Sequence, residues 1–179
     1  MSMTETWQCA TCGEEHEGVP LSFACGFPDT YANLSSDDRE TRAIIGSDQC
    51  VLDEKWFFLR GVIELPLKDA EGVFLWGLWA SLTERNYDEI DELWTEEGRE
   101  FNASFAARLA NALPVYYPST LNLKVRIHLR PVGQRPVFIV EEEHELKRLQ
   151  SEGITLHQAA DMARRLMSDQ DNMSTQLEQ

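Results

Sequence analysis

The residues best suited to chemistry lie near the start of the chain. Cys9 and Cys12 fall in T-W-Q-C-A-T-C-G, with Gly13 directly behind the second cysteine. Two thiolates at C-x-x-C spacing converge on one metal ion while the glycine permits the turn beneath it, which is the geometry of a zinc knuckle. A tetrahedral site needs further ligands, and no second C-x-x-C exists; His16, Cys25 and Cys50 are the candidates. A redox pair would need a thiol of lowered pKa in an electropositive setting. Glu14, Glu15 and Glu17 surround this pair with negative charge instead. The pattern favours a structural zinc, with a metal-free pair as the alternative.

The same residues support a catalytic reading. A hydrolytic zinc keeps three protein ligands and an open water position. Cys9 and Cys12 with His16 or Cys50 would supply the ligands, and Glu14 or Glu15 the base. A second constellation, His128 and His144 with Glu143, forms only if a strand carrying the first histidine meets a helix start carrying the second. A lone histidine on the polar face of a strand is more often exposed than a ligand. No phosphate-binding glycine loop, nucleophile elbow or H-E-x-x-H occurs in the sequence.

The element that must position these groups is Lys55 to Leu82. Two apolar, aromatic-rich runs flank Lys68-Asp69-Ala70-Glu71-Gly72, which predicts a β-hairpin. The second run is apolar on both faces, as in a central strand covered on both sides. Gln49 to Asp53 predicts a short strand carrying Cys50 towards this hairpin. Asn122 to Leu129 alternates with Leu123, Val125, Ile127 and Leu129 on one face, and Val137 to Val140 returns as its partner. Helices are expected from Ser35 or Ser36 to Ile45, from Ser81 or Thr83 to Glu97, from Glu141 to Ser151 and from Thr155 to Met167. Phe101 to Leu113 reads as a helix by spacing, although a strand also fits. The sum is an α+β domain: an antiparallel sheet of four to six strands, helices mainly over one face, and a knuckle-like segment at the N-terminus. The expected organisation is the knuckle at 1–18, the domain at 19–168 and a disordered tail at 169–179.

Composition narrows the partners. With 31 acidic against 16 basic residues the net charge is −15. Phosphates would be repelled, which argues against nucleic acid and anionic membranes and leaves a basic protein as a compatible partner. The longest apolar run, from Val73, is too short to span a bilayer, and the N-terminal residues do not read as a signal peptide. A cytoplasmic protein with reduced thiols is the expectation.

Several segments together resemble a bacterial family known only as domain of unknown function 2199: W-Q-C-A-T-C-G-E-E-H at 7–16, S-D-Q-C-V-L-D at 47–53, W-G-L-W-A-S at 76–81, Y-P-S-T-L-N-L-K-V-R-I-H at 117–128, G-Q-R-P at 133–136 and E-H-E-L at 143–146. The resemblance favours His16 and Cys50 over Cys25 as completing ligands and implies no activity. The functional expectation is a non-catalytic binding module with a structural zinc; the alternative is a metal-dependent hydrolase.

Overall fold

The two runs around Gly72 form the longest strand pair in the molecule. The computed structural model describes residues 6–8 and 15–176. In chain order the elements are β1 (Thr6–Gln8), β2 (Glu15–Glu17), β3 (Ser22–Ala24), α1 (Asp29–Ala32), α2 (Ser36–Arg42), β4 (Ala43–Ile45), β5 (Gln49–Leu52), β6 (Trp56–Pro66) and β7 (Val73–Leu82). There follow α3 (Glu84–Glu92), a 3-10 turn (Arg99–Phe101), β8 (Phe105–Leu109), β9 (Lys124–His128), β10 (Val137–Val140), α4 (Glu145–Glu152) and α5 (Leu156–Gln176).

β6 and β7 pair antiparallel without a break, from Phe57 opposite Leu82 to Pro66 opposite Val73. Each shares its other edge between two neighbours. β6 takes β5 along its first half and β10 at Val62, while β7 takes β3 along its first half and β8 near its end. β6 to β10 close into a five-stranded barrel inside an eight-stranded mixed sheet. The closure has a geometric reason. A meander of five strands brings the first and last into the same direction, so the seam between β10 and β6 must be parallel, and it is.

The alternation along β7 sorts the core. Phe74, Trp76, Leu78 and Ala80 face a large apolar cluster with Leu59, Ile63 and Leu65 of β6, Phe105 and Leu109 of β8, and Val125 and Ile127 of β9. Leu146, Leu149, Ile154, Ala159, Met162 and Leu166 of the C-terminal helices pack onto the same cluster. Trp79 faces the opposite way, into a smaller cluster with Tyr31, Cys50, Leu52, Phe58 and Ala110. β7 is therefore covered on both sides, as its composition predicts.

Four expectations are corrected. The sheet is not a purely antiparallel array of four to six strands, because β10 and β3 add in parallel and the sheet closes on itself. Phe101 to Leu113 is not a helix. Phe105, Ala107 and Leu109 point inwards and Ala106 and Arg108 outwards, the period of a strand held by β7 and β9. The second helix ends at Arg42, and Ala43–Ile45 becomes a strand paired with β5. The final helix, expected to end at Met167, runs to Gln176, since no proline or glycine interrupts it. No helix among the described residues is long and apolar enough to cross a membrane.

Candidate functional site

Cys9 and Cys12 lie outside the described residues. The strands on either side of them pair antiparallel, with Trp7 opposite His16 and Gln8 opposite Glu15. Cys50 is fully buried beside Phe58, Trp79 and Tyr31, and Cys25 packs against the same cluster; both thiols are free. Burial pushes the Cys50 thiol up to about 11. Burial, then the nearby Asp29 carboxylate, push Cys25 to about 11 as well, against the opposing charge of Arg60. Among the described residues no three His, Cys, Asp or Glu side chains come together as a metal site.

His144 sits at the start of α4, as the sequence predicts, but as its N-cap. Its Nδ1 accepts from the Leu146 N–H at 3.0 Å and its Nε2 lies 2.7 Å from the Pro118 carbonyl. A carbonyl only accepts, so the proton resides on Nε2 and both ring nitrogens are engaged in structure. Glu143 pairs with Lys147, and His128 is exposed on β9 opposite Val137. These three residues do not combine into a ligand set.

Three polar arrangements stand out that sequence spacing did not reveal. The first is a knot around Asn111, buried after β8. Its Oδ1 accepts from the Trp79 N–H at 2.8 Å, and its amide donates to the Phe27 carbonyl and to Asp29, whose other oxygen accepts from the Ala112 N–H. It ties the loop before α1 to the end of the barrel.

The second is the seam between β7 and β8. Their ladder reaches Ser81 opposite Arg108 and goes no further, although β7 continues to Leu82 and β8 begins at Phe105. The splayed strands open a groove of about 530 Å³. Lys55, Arg108 and Lys124 line it with Trp56, against Glu84 and Glu141. Trp56 is 51% exposed with the Lys55 ammonium 5.4 Å from its ring centre. Beside the groove the Asn86 amide, near the start of α3, donates to the carbonyl of the lining residue Ala106 at 3.1 Å.

The third gathers arginines around Asp48. Arg135 Nε donates to Asp48 Oδ1 at 2.6 Å and Ser47 Oγ donates to Oδ2 at 2.8 Å. Burial raises the Asp48 pKa, but these two hydrogen bonds and the charges of Arg135 and Arg60 outweigh it and hold the carboxyl below its usual range. Arg99, 2% exposed, fans its guanidinium onto the carbonyls of Arg130, Trp94, Pro131 and Gln134 and stacks on the Trp94 ring at 4.9 Å. A pocket of about 410 Å³ lies between Asp48, Trp94, Arg99 and the loop from Val132 to Arg135. Periodicity identifies buried apolar faces, whereas these groups come from loops and strand ends whose meeting depends on the barrel closing.

A family model described as "Uncharacterized protein conserved in bacteria (DUF2199)" matches residues 8–154. No curated protein and no solved structure matches the chain. The match runs from the last residue of β1 through the whole barrel to the first C-terminal helix, and the chain belongs to this family of uncharacterised bacterial proteins.

Proposed function

We propose that the protein is a binding module whose working surface is the seam groove, and that its occupant is an extended acidic segment of a partner protein. The splayed end of the β7–β8 ladder carries this reading. Where β8 lacks its neighbour, the Asn86 amide holds the Ala106 carbonyl beside the groove, and an extended peptide would add as a strand there by displacing that amide. Trp56 offers a flat apolar anchor at the rim. The charge of the whole chain suits a basic partner, but the groove gathers three cations against two carboxylates in a protein with about twice as many acids as bases. Local complementarity governs docking, so the occupant is acidic.

The test is fluorescence anisotropy at low ionic strength with a labelled octapeptide alternating glutamate with valine, and a lysine–valine peptide for comparison. The glutamate peptide is expected to bind and the lysine peptide not. Trp56→Ala and Lys124→Glu should each weaken binding by about tenfold, the loss of ~1.4 kcal/mol expected of an anchor contact. Equal binding of both peptides, or indifference to both substitutions, would overturn the proposal.

The N-terminal segment is assigned a structural zinc held by Cys9 and Cys12. Support comes from the pairing of the strands that flank C-x-x-C-G. Cys50 is a poor further ligand, since its burial among apolar side chains disfavours the thiolate that zinc requires. Alkylation of the native protein at pH 8, read by mass spectrometry, should leave Cys25 and Cys50 unmodified. Chelation should release zinc and open Cys9 and Cys12 to the reagent. Protein purified without chelators that carries no zinc would refute the assignment, and early labelling of Cys50 would refute its place in the core.

A further inference from the structure

The pocket beside Asp48 shares no lining residue with the seam groove, and its chemistry is different. Asp48 is the sole carboxylate on its wall, facing two lining arginines, Arg99 and Arg135. Arg99 is buried, and its hydrogen-bond partners among the described residues are carbonyls. Arg135 gives its Nε to Asp48, while its two terminal nitrogens have no partner among the described residues. Arg60 does not line the pocket, but its charge acts on Asp48. Its terminal nitrogens reach the Ser47 and Cys25 carbonyls only at 3.4 and 3.5 Å, and its buried Nε has no partner. Its pKa is lowered by burial first and by Arg135 next, with Asp48 opposing. Two guanidiniums, Arg135 and Arg60, thus act on Asp48, and Arg99 lines the same pocket, which gathers positive charge locally in a chain that is otherwise strongly acidic.

We propose that this pocket binds the oxyanion group, carboxylate or phosphate, of a small molecule, with Arg135 as the docking residue. Asp48 is then an internal anion holding Arg135 in place until the ligand competes for it. The volume, about 410 Å³, lies in the range of small-molecule sites. Arg135 suits the task because a planar guanidinium with free terminal N–H groups meets a carboxylate or a phosphate along a two-point edge. Trp94 and Val132 supply apolar wall for the rest of the ligand.

The experiment is an NMR titration of the full chain with inorganic phosphate and, separately, with acetate, following the Nε–Hε signals of the arginines. At least one anion is expected to shift the Arg135 signal saturably. Shifts with phosphate alone identify a phosphate-bearing ligand, and shifts with acetate alone a carboxylate. Arg135→Gln, a change at an exposed side chain, should abolish the effect. Asp48→Asn should tighten binding by about tenfold by removing the competing carboxylate, whereas a purely structural ion pair gives no gain. No saturable shift with either anion, unchanged binding in Arg135→Gln, or weaker binding in Asp48→Asn would overturn the proposal.

Discussion

Replacing Arg99 with methionine is expected to destabilise the protein by about 3–5 kcal/mol, the range seen when one member of a buried charged network is removed. The side chain has almost no contact with solvent, and four carbonyls receive its N–H groups at 2.5 to 3.4 Å. Methionine fills much of the same volume, so the loss is not a cavity. What remains is a set of buried carbonyls without donors, each costing on the order of 1–3 kcal/mol before the loop relaxes. The guanidinium joins the loop from Arg130 to Gln134 to Trp94, just past α3. Arg99→Lys should recover only part of the loss, because one ammonium cannot fan across carbonyls contributed from two directions. Urea unfolding measures both; methionine within about 1 kcal/mol of the parent would mean that water replaces the guanidinium and that the clamp is not real.

How much of this was legible beforehand follows from the physics of each signal. The β6–β7 hairpin is written in two long apolar runs around a polar connector, and Thr83 as the cap of α3 and Ser35 as the cap of α2 follow from their side-chain oxygens, which accept from Asn86 and Asp38. β8 was harder. Ala103, Phe105, Ala106, Leu109, Ala110 and Leu113 satisfy a helical period, and only pairing on both sides decides for the strand. Barrel closure leaves almost no local trace, because it depends on residues as distant as Val62 and Val137 meeting in parallel. Both proposed sites inherit that blindness. The Arg135–Asp48 contact joins G-Q-R-P to S-D-Q-C, two segments that sequence spacing gives no reason to bring together. His144 shows the opposite failure: its type and position suggested a ligand, while a neighbouring carbonyl and a backbone N–H had already occupied both nitrogens.

Gly61→Ala should be among the most damaging single-methyl changes in the chain, because the barrel is closed across that position. A Cβ placed there would sit 2.4 Å from two ring carbons of Phe138 and 2.8 Å from the Pro136 carbonyl. The ring is fully buried, so it has nowhere to swing, and the carbonyl is the acceptor for the Val62 N–H that pins β10 to β6. A glycine inside a strand ordinarily weakens it; here it admits the aromatic ring that completes the barrel. Overpacking of a rigid core costs about 1–3 kcal/mol and more where backbone must move, so a loss of ~3 kcal/mol or above is expected in chemical denaturation. Phe138→Leu supplies the control. Alone it should destabilise by leaving a void, yet combined with Gly61→Ala it should make room for the new methyl, giving a double variant more stable than the sum of the two losses by about 1 kcal/mol or more. Strict additivity would show that the two side chains do not meet across the β10–β6 seam, and the closed barrel would then have to be redrawn as an open sheet.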